Sequence, residues 1–262
     1  MQNCTIFRFS GNLSYMKTPS GGFRSELERS IPPRIASQFT ESRNTLETRL
    51  DEFPRYIRRQ RVTRFLALYE IFKLVVPVKG SIIECGVNNG FGTFSWLHFS
   101  SILEPNNIMR RVYGFDTFEG FTGLSEKDNS KMYTPKEGDL KAPCFDELQE
   151  LIKIHDDNRF LGHMEKVRLI KGDIRETAPK FLEENPHVVV SLLFLDLDLY
   201  EPTKVALETF VPRMPKGSII AFDELDNPIW PGETQATLEF FKDRNIQIKR
   251  LDFDPYIGFA EI

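Results

Sequence analysis

The pattern of apolar and polar positions changes twice along the chain. Residues 1–53 show no regular apolar spacing, so we expect an N-terminal arm with one or two short helices. From Arg55 to Val76 apolar side chains recur at helical spacing, and Pro77 ends the predicted helix. From residue 81 onward, short apolar runs alternate with longer segments of helical periodicity.

This alternation predicts an α/β fold. We expect strands at 81–86, 111–116, 167–173, 188–196, 217–224, 246–252 and 256–262, and helices at 90–103, 145–157, 175–184, 202–211 and 233–243. The run VVVSLLFLD (188–196) is nearly all apolar, which is typical of a central parallel strand covered on both faces. The pattern indicates a doubly wound, mostly parallel, seven-stranded sheet. We divide the chain into an N-terminal arm and helix, residues 1–76, and a sheet domain, residues 77–262.

Charge narrows the choice of partners. The 262 residues carry a net charge of −4 and the pI is about 5.7, which argues against a nucleic-acid partner. Residues 1–64 nevertheless hold 12 Lys and Arg against 6 Asp and Glu. The basic run from Arg55 to Arg64 is a solvated helix face or subunit contact, a binding surface for an anionic substrate such as a nucleotide-linked sugar, or a nucleic-acid patch. A homo-oligomer with crossing arms is the expected assembly.

The cysteines and the apolar content indicate the compartment. Cys4, Cys85 and Cys144 are scattered, so neither a disulfide scaffold nor a zinc site is expected, in keeping with a reducing cytoplasm. The first 17 residues lack the apolar stretch of a signal peptide, and no segment approaches the ~20 apolar residues that span a bilayer. We expect a cytoplasmic protein without a membrane partner.

Acidic residues follow five of the predicted strands. They are Glu84, Asp116, Asp173, Asp196 with Asp198, and Asp223 with Glu224. In open α/β sheets ligands bind beyond the carboxyl ends of the strands. A single acidic residue there is commonly a helix cap, but a row of them predicts a binding edge.

The first strand runs into a glycine-rich loop, Glu84 to Thr93. Asn88 and Phe91 replace two glycines of the dinucleotide fingerprint, which disfavours a dehydrogenase. Asp116 is placed to accept both ribose hydroxyls of an adenosine ligand, and Asp173 to accept from the adenine amino group. A structural turn with caps is the alternative. The candidate cofactor-binding residues are Glu84, Gly86, Gly90, Thr93, Asp116, Asp173 and Ile174.

Four segments together resemble one known family. ECGVNNGFGTF, FDTFEGF, IKGDIRETAP and LDLDLYEPTKVALETFVPRMPKGSIIAFDE are similar to the macrocin O-methyltransferase family, over about Gly80 to Phe241. The resemblance implies a Rossmann-like class I methyltransferase that uses S-adenosylmethionine to methylate sugar hydroxyls with a divalent metal, so residues 77–262 would be the catalytic domain. It also implies that Asp196, Asp223 and Glu224 hold Mg²⁺ and that Asp198 is the general base.

Other interpretations of the site stay open. Asp198 and Thr203 could simply begin the following helix, in which Pro202 suits the first turn. Leu197 and Glu224 stand where the family has Gly and Asp, so a metal-independent N- or O-methyltransferase, or a non-catalytic binder of S-adenosylmethionine, is the alternative. Residues 117–144 are expected to form a lid. Tyr200 and Trp230 either stack on an acceptor ring or pack in the core.

Overall fold

The computed structural model describes residues 25–262, and contacts divide the chain into two units, 1–58 and 59–262. The first unit contains helices α1 (Glu26–Glu41) and α2 (Leu46–Asp51). Ser25 and Glu28 form a capping box that begins α1, and no residue of either helix is buried. At 16 residues, α1 is longer than the short helices expected. The part of the arm before residue 25, including Cys4, lies outside the described residues.

The second unit contains a seven-stranded sheet. Its strands are β1 (Ser81–Cys85), β2 (Val112–Asp116), β3 (Val167–Lys171), β4 (Val190–Leu195), β5 (Ile219–Phe222), β6 (Lys249–Arg250) and β7 (Gly258–Glu261). Their order is β3-β2-β1-β4-β5-β7-β6, with only β7 antiparallel to its two neighbours. The predicted mostly parallel sheet is confirmed. The strand expected at 246–252 is reduced to two exposed residues, because β6 lies at the sheet edge and pairs with β7 alone.

Helices cover both faces of this sheet. One apolar cluster joins the strands to α3 (Arg59–Val75), α4 (Phe91–Leu103) and α5 (Phe145–Asp157). A second cluster, on the other face, joins them to α6 (Ile174–Glu184), α7 (Tyr200–Phe210) and α8 (Pro231–Phe241). Between residues 25 and 262, no helix is long and apolar enough to cross a membrane.

Helix α3 belongs with the sheet and not with the arm. The boundary expected after Val76 falls instead after Arg58 in the structure. The physical reason is burial: Leu68, Ile71 and Phe72 of α3 are at most 1% exposed and pack in the same cluster as Trp96 of α4. The separate unit therefore ends before the basic residues of α3.

A buried arginine fixes the amino-terminal edge of the sheet. Arg110 is 3% exposed and forms an ion pair with Glu104 at 2.7 Å. Its guanidinium also donates to the backbone oxygens of Val75, Val78 and Gly80 at 2.9–3.0 Å. Because these acceptors lie before β1, the arginine joins the end of α3 to the sheet. The opposite, carboxyl edge is left for the site.

Candidate active site

The carboxyl ends of β1, β2, β3 and β4 border a cavity of about 110 Å³. The strand order reverses between β1 and β4, and ligands of doubly wound sheets bind at such a switch point. Six of the predicted site residues line the cavity, namely Gly86, Asp116, Asp173, Ile174, Asp196 and Asp198. Ligand sites usually measure about 300–1,000 Å³, so a nucleoside needs the surrounding loops to open further.

The glycine-rich loop is held in place by Asp116. One carboxylate oxygen accepts hydrogen bonds from the N–H groups of Val87 and Asn88, at 2.8 and 2.7 Å, and the other accepts from Phe118 N–H at 2.6 Å. Gly86 has a φ of 97°, and a Cβ there would overlap the backbone carbonyl of Asp196. Glycine at this position therefore brings the loop against the end of β4. Oδ2 thus uses both of its lone pairs on the loop, and Oδ1 keeps one lone pair for a ligand hydroxyl.

Three predicted cofactor-binding residues lie behind this loop. Glu84 and Thr93 are 1% exposed, and the Thr93 hydroxyl donates to the Glu84 carboxylate. Gly90, with a φ of 83°, is the buried N-cap of α4. None of the three lines the cavity. In the structure Glu84 supports the loop, because alternation along β1 turns it toward α4, and contact of these three residues with the cofactor stays a prediction. Burial raises the pKa of Glu84 well above its usual value.

Asp173 joins the third strand to the insertion. It is the N-cap of α6, accepting from Arg175 N–H at 2.9 Å, and forms an ion pair with the Arg175 guanidinium at 2.6 Å. The hydroxyl of Thr122, inside the insertion 117–144, donates to the same carboxylate at 2.9 Å. The hydrogen bond from Arg175 lowers the pKa of Asp173, so the group is an anion at neutral pH. Asp173 lines the cavity, with both carboxylate oxygens already accepting hydrogen bonds from Arg175 or Thr122.

The acidic turn after β4 brings Asp196 and Asp198 to the cavity. Asp196 N–H still bonds to Cys85 O at 2.8 Å, as a continuation of the sheet, whereas Asp198 has a φ of 61°. Burial raises the pKa of Asp196 to about 6, against the opposing effect of the Arg64 charge. Burial, and then the charge of Asp196, raises the pKa of Asp198 well above its usual value. Both residues therefore line the cavity as carboxyls whose pKa values are raised.

Asp223 and Glu224 have other partners. Asp223, 7% exposed, forms an ion pair with Arg64 of α3, and Glu224 accepts from the side-chain amide of Asn227. Within residues 25–262, no three His, Cys, Asp or Glu side chains are arranged to hold one metal ion. Oxygen-only ligands suit Mg²⁺. However, as the side chains stand, the three predicted ligands do not converge, since the guanidinium of Arg64 holds Asp223.

Comparison with known proteins decides the family. Residues 55–256 match the sequence model of macrocin O-methyltransferase (TylF). The chain belongs to this family. The crystal structure of CalS11, a calicheamicin methyltransferase, is 35% identical with a TM-score of 0.85, over 91% of this chain and 93% of that one. Among curated proteins no sequence matches.

Two further solved structures are similar to the chain at different levels. The apo structure of CalS11, described as a TDP-rhamnose 3′-O-methyltransferase, is also 35% identical, with a TM-score of 0.79 over 91% of this chain and 95% of that one. The O-methyltransferase NovP is 20% identical over 76% of this chain and 79% of that one, with a TM-score of 0.54, and shows the fold alone. This macrocin O-methyltransferase family member is thus an S-adenosylmethionine-dependent methyltransferase with the class I fold.

In this family member the insertion is packed against the helices that follow β4 and β5. Asp128, 1% exposed, accepts from Tyr200 N–H at 2.6 Å. Trp230 makes edge contacts with Phe121 and Tyr133 of the insertion, with ring centroids 5.3 Å apart in both cases. Tyr200 and Trp230 are each 5% exposed, so the structure favours packing for both.

Sequence reasoning missed three charged side chains at this site. Arg64 forms an ion pair with Asp223. Asp128 accepts from the N–H of Tyr200, the first residue of α7, and Glu233 accepts from Leu197 N–H in the acidic turn. Arg64 was noticed only as part of a basic run. In the sequence Asp128 is one acidic residue of the insertion, and Glu233 is the first residue of the predicted helix 233–243. Neither position indicates a site. Their partners are distant in sequence, so only the fold reveals their roles.

Proposed function

We propose that the protein transfers a methyl group from S-adenosylmethionine to a hydroxyl of a sugar or another polyhydroxylated small molecule. The observation that carries this is the pairing of two half-buried carboxyls, Asp196 and Asp198, with a cavity at the switch point of the sheet. The likeness to CalS11, described as acting on TDP-rhamnose, supports a nucleotide-linked deoxysugar as acceptor. Such an acceptor is anionic, in keeping with the basic residues of α3.

The proposed chemistry divides among a few groups of this chain. S-adenosylmethionine, when bound, supplies a methyl group already activated on a sulfonium. Gly86 lets the first loop approach the ligand closely, and Asp116 accepts a ribose hydroxyl on its free lone pair. Asp173 accepts from the adenine amino group in place of the Thr122 hydroxyl. Asp198 takes the proton from the acceptor hydroxyl as the hydroxyl oxygen attacks the methyl carbon, and the bond between that carbon and sulfur breaks, which leaves S-adenosylhomocysteine. The insertion 117–144 excludes water over both ligands.

Dependence on Mg²⁺ is a separable part of the proposal. Glu224 lies close enough to Asp196 for its charge to raise the pKa of Asp196. A cation would offset that repulsion, and Asp223 would join it only by releasing Arg64. The pairing of Arg64 with Asp223 is the observation behind the alternative, a metal-independent methyltransferase in which the guanidinium supplies the positive charge.

One assay tests both parts. Purified protein is incubated with S-adenosylmethionine and a panel of nucleotide sugars and glycosides that includes TDP-rhamnose, with EDTA or with added Mg²⁺. We expect a methylated sugar to be detected by mass spectrometry, with turnover lost in EDTA and restored by Mg²⁺. Full activity in EDTA removes the metal and leaves the methyl transfer standing. Methylation of amines only, with no sugar product, contradicts the proposed acceptor.

Assembly and location are further proposals. The arm helices α1 and α2 bury none of their residues within one chain, and Leu27, Leu46 and Leu50 are over 60% exposed. We expect a homo-oligomer in which a second copy covers these side chains, and light scattering after size exclusion measures its mass. Free Cys85 and Cys144 are compatible with the proposed cytoplasmic location.

A further inference from the structure

The acidic turn after β4 has an unusual backbone. Leu199 N–H donates to Leu197 O at 2.6 Å, which closes a three-residue turn centred on Asp198. Asp198 has a φ of 61°, a region that residues other than glycine rarely adopt. Tight turns of this kind with positive φ are strained and persist only where the surrounding structure holds them. The direction of the Asp198 side chain therefore depends on neighbouring groups.

Glu233 holds this turn from helix α8. Its Oε2 accepts from Leu197 N–H at 3.1 Å, while its own backbone N–H donates to Asp198 O at 3.2 Å. These two hydrogen bonds fix the backbone of Leu197 and of Asp198. Glu233 is 3% exposed, and among the described residues its Oε1 has no hydrogen-bond partner.

The position of Glu233 in its helix argues against a simple capping role. It is the third residue of α8, where a glutamate commonly reaches back to the N-cap of its own helix. Here the N-cap is Trp230, with no side-chain cap, and the glutamate bonds to another element instead. A residue that serves only to begin a helix has no need to be buried beneath the acidic turn.

Gly232 and Asp128 complete the support on the far side of the turn. Asp128 Oδ1 accepts from Tyr200 N–H at 2.6 Å, and Tyr200 begins α7 directly after the turn. A Cβ at Gly232 would overlap Asp128 and lie 2.9 Å from Asp198 O. Glycine before Glu233 thus lets α8 come close enough for the glutamate to reach Leu197.

We propose that Glu233 is a positioning residue for methyl transfer, which holds the 197–199 turn so that Asp198 points at the acceptor hydroxyl. The inference rests on the proposed function, since it assumes that Asp198 takes the proton. It assigns to Glu233 no contact with either substrate. Misplacement of a reacting group by about 1 Å can cost about 10²-fold in rate, so loss of the support should appear in kcat.

The test compares Glu233→Met, which keeps length but accepts no hydrogen bond, with Glu233→Gln, whose amide oxygen can still accept from Leu197 N–H. Glu104→Leu is the matched control, because it removes a buried carboxylate at the opposite edge of the sheet. Amide hydrogen exchange of the peptide covering residues 196–200 is measured together with kcat and with KM for both TDP-rhamnose and S-adenosylmethionine. Should Glu233→Met not fold, Glu233→Ala takes its place.

We expect Glu233→Met to speed exchange in that peptide and to lower kcat by about 10²-fold, with KM for S-adenosylmethionine unchanged. Glu233→Gln should have the wild-type exchange rate and the wild-type kcat. Glu104→Leu should lower the Tm without changing either quantity. Unchanged exchange in Glu233→Met overturns the inference, and this readout needs no acceptor. Unchanged kcat in Glu233→Met, while Asp198→Asn is inactive, overturns it also. Full activity of Asp198→Asn refutes instead the base assigned in the proposed function.

Discussion

Substitution of Gly86 by alanine gives the sharpest test of how the cofactor loop is built. Gly86 has a φ of 97°, and an added Cβ would overlap the backbone carbonyl of Asp196, which neither loop nor strand can easily move. Gly217 is a matched control with a similar φ of 88°, because a Cβ there meets only a Val78 methyl carbon at 3.8 Å. The positive φ destabilises both alanine variants, but only Gly86→Ala also has the steric overlap.

The expected magnitudes follow from these two differences. A positive φ costs an alanine about 1–2 kcal/mol, so Gly217→Ala should lower the free energy of unfolding by that amount. Overpacking adds about 1–3 kcal/mol, which brings Gly86→Ala to about 2–5 kcal/mol. The variant should also bind S-adenosylhomocysteine more weakly, because the overlap displaces either the loop or Asp196, and both line the cavity.

Urea unfolding measures the loss of unfolding free energy, and isothermal titration calorimetry measures the affinity for S-adenosylhomocysteine. Gly217→Ala should bind as tightly as the wild type. Equal losses of unfolding free energy in the two variants would refute the role of the overlap. Wild-type affinity in Gly86→Ala would refute the placement of the loop against the ligand.

Three further predictions test other parts of the molecule. Arg110→Met leaves Glu104 buried without its partner and should lower the free energy of unfolding by about 3–5 kcal/mol, whereas an unchanged urea midpoint contradicts this. Asp198→Asn should lower kcat by about 10²–10⁴-fold without weakening S-adenosylhomocysteine binding, and the alternative of a helix-starting residue predicts an unchanged kcat. Folding raises the pKa of Glu84, so the contribution of this group to stability should fall as pH rises above 4.5, by up to about 1.4 kcal/mol per pH unit until its folded pKa is passed. Stability of Glu84→Gln in urea unfolding should therefore change with pH by that much less than the wild type does, and identical pH dependence in the two proteins would contradict the raised pKa.

The sheet and its carboxyl edge could be predicted because they depend on local pattern. Apolar runs such as 188–196 are buried wherever the fold places them, and β4 is fully buried. Parallel strands then bring their carboxyl ends to one edge, which is why Asp116, Asp173 and Asp196 meet at one cavity. The expected strand at 246–252 was wrong in extent, since edge pairing with β7 depends on tertiary position and not on apolar pattern.

The partners of the acidic residues could not be predicted. Glu233 lies 36 residues from Leu197, and Asp128 lies 72 residues from Tyr200, so no local spacing indicates either contact. Likewise, nothing in the run of arginines indicates that Arg64 pairs with Asp223. Carboxylates at neighbouring strand ends suggested a metal, but whether a cation or a guanidinium balances their charge depends on how α3 packs.

The crystal structure of the complex with S-adenosylhomocysteine measures the central claim most directly, which is that the carboxyl edge of the sheet binds the adenosyl group. We predict the ribose hydroxyls within hydrogen-bond distance of Asp116, the purine beside Asp173 and Ile174, and the sulfur facing Asp198. An adenosyl group bound elsewhere on the protein, with Gly86 and Asp116 untouched, would contradict that claim.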